Sequence, residues 1–202
     1  MRRPPPPDRS VALVLAALAI VLGARAAAGA SRERRFFSAR EGVGIEAPGA
    51  WTLSLHTGYP EILCVLLHPD GSRISLSAAP TTAPDAKALA EQSRKGLEAQ
   101  HLAIAKIADG PRGGVLLEAH GARKDTELRQ LYLVRGAGAG KRQGIVVTLS
   151  TRAATLATAG PAFDWAVAHL ALEVPLDAEE TAAKPSAHPG GADAGANLPA
   201  GR

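Results

Sequence analysis

The sequence contains one cysteine among 202 residues, which excludes an internal disulfide bond. Cys64 lies in the apolar segment EILCVLLH, which predicts a strand and therefore a buried, unreactive thiol. A reactive thiol, or one that pairs with another molecule, is the alternative interpretation.

Aromatic residues are also few: two tryptophans, two tyrosines and three phenylalanines. This leaves little for stacking on nucleic acid bases or for the aromatic platforms of sugar-binding proteins. The net charge is +4, but four of the 23 basic residues and one of the 19 acidic residues lie in the first thirty positions. The remaining 19 basic and 18 acidic residues nearly balance, so we expect no nucleic acid partner.

Motifs of catalysis and metal binding are missing as well. No serine stands in G-x-S-x-G, and no histidine stands in H-E-x-x-H or at zinc spacing from a cysteine. We therefore expect no catalytic, cofactor-binding or metal-binding residues. The alternative is a hydrolase whose site assembles only in the fold, beside a carboxylate or a hydroxyl group. Its candidate residues are His56, His101, His120 and His169.

The glycine-rich segment at residues 134–144, VRGAGAGKRQG, raises the question of a phosphate-binding loop. Such a loop needs a glycine five positions before Gly140 and a hydroxyl residue after Lys141, but Arg135 and Arg142 stand there. The β-branched segment GIVVTLST that follows predicts a strand, so the phosphate-binding helix is missing. We predict the loop of a β-hairpin. The positive charge of Arg135, Lys141 and Arg142 makes this loop a candidate interaction site, and a plain solvated hairpin explains it equally well.

Residues 1–30 have the pattern of a secretory signal peptide. A basic head precedes an uncharged stretch from Ser10 to Ala24, and Ala28-Gly29-Ala30 supplies a cleavage site before Ser31. The protein is therefore predicted to be periplasmic or secreted. The alternative is an uncleaved membrane anchor, although these fifteen uncharged residues reach only about 22 Å, short of the ~30 Å hydrocarbon layer. We expect membrane contact only if the segment is not cleaved.

The rest of the chain divides into a domain and a tail. Residues 177–202 are rich in alanine, glycine and proline and have almost no large apolar side chains, so we predict disorder there. Residues 31–176 are long enough to close a core, and we predict a single α+β domain.

Turn residues and hydrophobic periodicity predict the main elements of this domain. His68-Pro69-Asp70-Gly71 predicts the turn of a β-hairpin in which one face, carrying Ile74 and Leu76, is buried. The segment TTAPDAKALAEQSRKGLEAQ predicts an amphipathic helix that begins near Thr82. The segment GPAFDWAVAHLALEVP predicts a second helix that begins at Gly160-Pro161.

Three segments resemble the PsbP-like family, which includes the bacterial DcrB-type envelope proteins. GVGIEAPGAWTL is similar to the opening of the family, APDAKALAEQSRKGLE to its first long helix, and GPAFDWAVAHLALEVP to its closing helix. The resemblance covers about Phe36 to Pro175. It implies an α/β/α sandwich around a mainly antiparallel sheet with two main helices. It carries over no catalytic residues, because family members act as accessory or protein-binding components.

These observations predict an exported, non-enzymatic accessory or binding domain of the cell envelope. Its partner would be an envelope protein or another envelope component, bound at an exposed sheet edge or at the loop of Arg135, Lys141 and Arg142. A membrane-tethered form of the same domain and a periplasmic hydrolase-type enzyme are the alternatives.

Overall fold

A computed structural model of the chain describes residues 34–55, 57, 59, 61–121, 125–136 and 142–173. The predicted signal peptide, the predicted tail and both predicted domain boundaries lie outside the described residues. In the part of the chain that is described, no helix combines the length and the apolar character needed to cross a membrane.

The described residues form ten β-strands and two α-helices. In chain order they are β1 (Arg35–Ser38), β2 (Val43–Glu46), β3 (Thr52–Ser54), β4 (Ile62–Leu67), β5 (Arg73–Thr81), α1 (Ala86–Ala99), β6 (Ala103–Asp109), β7 (Val115–His120), β8 (Thr126–Arg135), β9 (Arg142–Arg152), α2 (Leu156–Ala168) and β10 (Ala171–Leu172). Seven strands form a large antiparallel sheet in the order β3-β4-β5-β9-β8-β7-β6. Three form a small antiparallel sheet in the order β1-β2-β10.

The two helices lie on opposite faces of the large sheet, because neighbouring residues of β8 contribute to different core clusters. Tyr132 is buried in a cluster with Leu89 of α1, whereas Leu131 is buried in a cluster with Phe163 of α2. Ile45 of β2 belongs to the cluster of Leu131 and Phe163, so the small sheet packs on the same side of the large sheet as α2. The predicted α/β/α sandwich around a mainly antiparallel sheet is confirmed.

β4 and β5 form the predicted hairpin. The main-chain N–H of His68 donates to the carbonyl of Ser72 at 3.0 Å, and Gly71 adopts a φ of 92°, which glycine reaches without strain. The prediction of a single buried face is wrong, because Ser75 and Ser77 on the other face are only 2% and 1% exposed. β5 lies near the centre of a sheet that is covered on both sides, so its polar residues are buried as well.

α1 begins later than its sequence pattern predicted. Asp85 precedes the helix with an extended backbone, and its Oδ1 accepts a hydrogen bond from the N–H of Ala88 at 2.8 Å. Asp85 is therefore the N-cap, and the predicted start near Thr82 is wrong. The helix buries Leu89 and Leu97.

α2 begins at Leu156, so the predicted start at Gly160-Pro161 is wrong as well. A 3-10 turn, Ala153–Thr155, leads directly from β9 into the helix, and Pro161 lies inside it. Proline has no N–H to give to the carbonyl of Ala157 four residues earlier. Ala157 is exposed, so water can bind this carbonyl and the helix continues through the proline.

The glycine-rich segment lies between two strands, as predicted. β8 ends at Arg135 and β9 begins at Arg142, and the two strands pair directly with each other. A strand rather than a helix therefore follows Lys141, which excludes a phosphate-binding loop of the strand–loop–helix kind. Residues 137–141 themselves lie outside the described residues.

Candidate binding cleft

Arg135, one of the three predicted interaction residues, holds separate parts of the fold together. Its guanidinium donates to the main-chain carbonyls of Glu41, of Gly42 at 3.0 Å and of Glu173 at 2.5 Å. It also donates to Oε1 of Gln143 at 2.7 Å. Partial burial lowers the pKa of Arg135, and the charge of Glu41 opposes this shift. These bonds fasten the turn after β1 and the residue after β10 to the large sheet.

The other two predicted interaction residues are Lys141 and Arg142. Lys141 lies outside the described residues. Arg142 is the half-buried first residue of β9 and is paired with Thr81 of β5. An interaction site at this loop stays a prediction.

The outer face of the small sheet carries a cleft of about 300 Å³. The strand register places Phe37 of β1 beside Gly44 of β2, and Gly44 beside Ala171 of β10. A Cβ atom at Gly44 would lie 2.6 Å from the carbonyl oxygen of Phe36 and 2.7 Å from the ring of Phe37, so only glycine fits here. The ring of Phe37, which is 40% exposed, therefore covers Gly44, and Ala171 lies beside them in the lining of the cleft.

His169, directly after α2, forms the wall on the side of that helix. Its ring stacks on Trp165, with ring centroids 3.8 Å apart and planes 17° apart. Nδ1 of His169 donates to the carbonyl of Trp165 at 2.8 Å, because a carbonyl oxygen can only accept. In the neutral ring this leaves Nε2 as an acceptor. Arg112 donates to the carbonyl of Ala168 at 3.0 Å and so holds the end of α2.

Carboxylates stand at both ends of the cleft. At one end Glu46 is paired with Arg35, with Oε2 3.2 Å from Nη2. At the other end the main-chain N–H of Glu173 donates to the carbonyl of Gly42 at 2.8 Å. Among the described residues nothing bonds to the carboxylate of Glu173. Among the described residues, the side chains of one arginine, Arg35, and two glutamates, Glu46 and Glu173, line the cleft, so carboxylates outnumber guanidinium groups there.

The candidate residues of a hydrolase site are not gathered in the described ranges. His56 lies outside them, His101 is exposed after α1, and His120 ends β7. Of the candidate histidines that the structure describes, His169 alone lines the cleft, and the described part of the lining includes neither serine nor threonine. In the ranges given above, no three histidine, cysteine, aspartate or glutamate residues lie close enough together to hold a metal ion.

The sequence alone did not indicate this cleft. Its residues come from β1, β2 and the segment around β10, and only strand pairing brings them together. The available hints were weak: adjacent phenylalanines in a chain with few aromatic residues, and Gly44 between the apolar residues Val43 and Ile45.

No model of a known protein family matches the sequence, and no curated protein sequence matches it. Solved structures are similar at low identity. PsbP (CyanoP) from Synechocystis sp. PCC 6803 has 15% identity and a TM-score of 0.49, and the match covers 76% of this chain and 99% of that one. LpqN of Mycobacterium tuberculosis, described as involved in cell envelope biogenesis, has 13% identity and a TM-score of 0.49, with 73% and 87% covered. A protein from Bacteroides thetaiotaomicron VPI-5482 has 13% identity and a TM-score of 0.42, with 71% and 50% covered.

The described residues define an α/β/α sandwich domain with an open cleft on its small sheet. A PsbP protein stands among the structures to which the chain is similar, as the sequence resemblance implied.

Proposed function

We propose that this chain is an exported domain of the cell envelope that binds a protein or another envelope component through the cleft and catalyses no reaction. The observation that carries the proposal is the cleft itself. It combines the exposed aromatic ring of Phe37 with the carboxylate of Glu173, which has no partner among the described residues, on a sheet that is fastened to the rest of the domain.

The rigidity of the cleft supports binding. Arg135 fixes the backbone at one end of the cleft, and the stacking of His169 on Trp165 fixes one wall. Groups that are already held in place lose little conformational entropy when a partner binds, which favours affinity. A partner that covers the exposed ring of Phe37 would be stabilised by the burial of apolar surface, which contributes about 25 cal/mol per Å².

The chemistry of the lining supports a role without catalysis. Nucleophilic hydrolysis needs a hydroxyl or thiol nucleophile beside a base, and among the described residues of the cleft no serine, threonine or cysteine accompanies His169. The single thiol, Cys64, is buried in β4.

The binding proposal can be tested by cross-linking in living cells followed by mass spectrometry. Envelope components captured by the wild-type chain should be lost with Phe37→Ala. They should be retained with Leu55→Ala, a matched control because Leu55 is also an exposed apolar residue, 55% exposed, near the end of β3. An identical set of components with both variants would contradict binding through the cleft. A Lys141→Ala/Arg142→Ala double variant tests the predicted interaction loop separately.

Export can be tested by sequencing the N-terminus of the protein recovered from cells. Ser31 as the first residue would establish cleavage and exclude a tether. A chain that keeps residues 1–30 and stays with the membrane would support the tethered alternative. Recovery of the unprocessed chain from the cytoplasm would contradict export.

A further inference from the structure

We infer that the chain forms a symmetric dimer in which β1 of one copy pairs with β1 of a second copy in antiparallel orientation. The two small sheets then join into one continuous sheet around a two-fold axis. This inference does not rest on the proposed function. It follows from the direction of the main-chain groups of β1 and from the order of its side chains.

The outer edge of β1 pairs with no other strand among the described residues, since β1 lies at the end of the small sheet. The carbonyl of Arg34 accepts a hydrogen bond from the N–H of Ala47 at 2.6 Å, so this carbonyl points towards the side of β2. Main-chain groups alternate in direction along a strand. The N–H and C=O groups of Arg35 and Phe37 therefore point away from β2, where an added strand can bond to them.

A two-fold axis at Phe36 gives all of these main-chain groups a partner. It places Arg35 opposite Phe37 of the second copy, so that the N–H of each residue donates to the C=O of the other. An axis at Arg35 would instead place two arginines opposite each other, which is unfavourable. An axis at Phe37 would place Arg35 opposite Ala39, which lies in the turn beyond the end of β1.

The side chains that meet around this axis are complementary. Opposite side chains of antiparallel strands have Cβ atoms about 4.5–5.5 Å apart, so the guanidinium of Arg35 can reach the exposed part of the Phe37 ring in the second copy. The Arg35 side chain is 79% exposed, and its exposed ion pair with Glu46 holds it only weakly. On the inner face, Phe36 is half-buried against the core and meets Phe36 of the second copy, which forms an aromatic pair.

The two edges of the large sheet are less suited to pairing with a second copy. β3 has only three residues. β6 is longer, but its register with β7 shifts between Ile104 and Lys106, and Lys106 is exposed in the middle of the strand. A bulge and a lysine are features that keep a free edge from pairing. β1, by contrast, pairs with β2 in an unbroken register from Arg35 to Ser38.

The size of the contact predicts weak association. Two strands of four residues bury less surface than the ~1,200–2,000 Å² of stable protein interfaces. We therefore expect monomers at about 1 µM and a substantial share of dimers at roughly 0.5 mM.

The test is sedimentation equilibrium of the protein in the form recovered from cells, over this range of concentration. Arg35→Ala should weaken association about fivefold, because both copies lose the attraction of the cation to the ring. Arg35→Pro should weaken it about tenfold further, because proline also removes the outward N–H in both copies while the hydrogen bonds to β2 remain. Ile107→Ala, at the exposed apolar residue of β6, should leave association unchanged. Thermal unfolding of each variant confirms that it is folded.

Single added cysteines test the register. Cys64 is buried, so a cysteine introduced on β1 reports its own contacts. Phe36→Cys lies on the axis and should form a disulfide-linked dimer under mild oxidation, because its Cα atoms in the two copies are about 4.5 Å apart. Ser38→Cys is the matched control, since Ser38 is also half-buried on β1. Ser38 lies opposite Arg34 of the second copy, so its two cysteines are about 13 Å apart along the strand and should not cross-link.

A chain that stays monomeric at roughly 0.5 mM would overturn the inference. Equal association of Arg35→Ala and Arg35→Pro, loss of the dimer with Ile107→Ala, or faster cross-linking through Ser38→Cys than through Phe36→Cys would also overturn it. If Phe36→Cys does not fold, the comparison of the two Arg35 variants still decides. The proposed function fails separately, because capture of envelope components is measured in cells and the oligomeric state is measured on the purified chain.

Discussion

The guanidinium of Arg135 and the main-chain carbonyl of Glu173 are joined by a hydrogen bond of 2.5 Å, so the end of β8 holds the residue that follows β10. The same guanidinium reaches the carbonyls of Glu41 and Gly42, and together these bonds join the small sheet to the large one. We predict that Arg135→Ala lowers the free energy of unfolding by about 1–3 kcal/mol, because several main-chain acceptors lose a charged donor.

Arg135→Lys should recover only part of this loss, since an ammonium group lacks the planar fork that reaches several carbonyls at once. Urea unfolding of both variants measures the effect. Arg152→Ala is the control, because Arg152 is exposed at the end of β9. Equal stability of Arg135→Ala and Arg152→Ala would show that the hydrogen bonds of Arg135 contribute nothing.

Gly44→Ala should destabilise the protein by about 1–3 kcal/mol, the usual cost of overpacking. The added Cβ would lie 2.6 Å from the carbonyl of Phe36 and 2.7 Å from the ring of Phe37, so backbone or ring must move. Gly121→Ala is the matched control, because the nearest atom to its Cβ would be 3.4 Å away. Thermal unfolding compares the two, and a similar melting temperature for both would contradict the packing described at Gly44.

Buried hydroxyl groups between α1 and the large sheet should differ in their effect on stability. Oη of Tyr132 donates to Oε1 of Gln130 at 2.5 Å, and Nε2 of Gln130 donates to Oγ1 of Thr148 at 3.1 Å. Tyr132→Phe leaves a buried acceptor without its donor and should cost about 1–2 kcal/mol. Oγ of Ser93, by contrast, is buried beside the hydroxyl group of Tyr132 but forms no hydrogen bond of good geometry.

Ser93→Ala should therefore be neutral or stabilising, by up to about 1 kcal/mol, because it removes a buried hydroxyl group with poor hydrogen-bond geometry and improves helix propensity. Chemical denaturation of the two single variants tests both expectations. A loss of stability with Ser93→Ala would mean that its hydroxyl has a partner, and an unchanged stability with Tyr132→Phe would mean that its hydrogen bond is dispensable.

Asp70, in the β4–β5 turn, should make stability sensitive to acid. Burial raises its pKa, but hydrogen bonds from Ser72 and the neighbouring His68 outweigh burial and hold the pKa below its ordinary value of 3.8. A lower pKa in the folded state gives stability that is complete above the unfolded pKa and is lost as pH falls through the folded pKa. The stability advantage of the wild type over Asp70→Asn should therefore shrink between about pH 5 and pH 2.

Melting temperatures across this range measure the effect of Asp70. The control is Asp109→Asn, since Asp109 is exposed and ends β6. A difference between wild type and Asp70→Asn that stays constant with pH would contradict the role of these hydrogen bonds.

Cys64 should react with thiol reagents only when the protein unfolds. The residue is fully buried in β4, and burial raises the pKa of its thiol, so the reactive thiolate is scarce at neutral pH. Reaction with a disulfide reagent should be slow in buffer and rapid in urea. Rapid reaction of the native protein would contradict the predicted core thiol.

Local features of the sequence predicted several strands of the large sheet. The turn at His68–Gly71 and the β-branched segment after the glycines locate β4, β5 and β9, because turn chemistry and β-propensity act over a few residues. The helix starts were wrong for a similarly local reason. Several residues near each helix start can serve as the N-cap or as the first helical residue. Which of them does so depends on where the preceding strand leaves the sheet.

The small sheet and the cleft could not be predicted in this way. β10 has only two residues, and its pairing with Val43 and Gly44 depends on the position of α2. Likewise the charges of Arg135 suggested an exposed site, whereas distant backbone carbonyls in the fold bind its guanidinium.

The pairing of β5 with β9 at the centre of the large sheet also determines how the domain can fold. Thr81 pairs with Arg142 and Arg73 with Ser150, contacts that close long loops of chain. While the chain is being synthesised, the edge of β5 that pairs with β9 stays open until the residues of β9 have followed. We therefore expect slow completion of the sheet, and a need to shield that edge from other unfolded chains in the meantime.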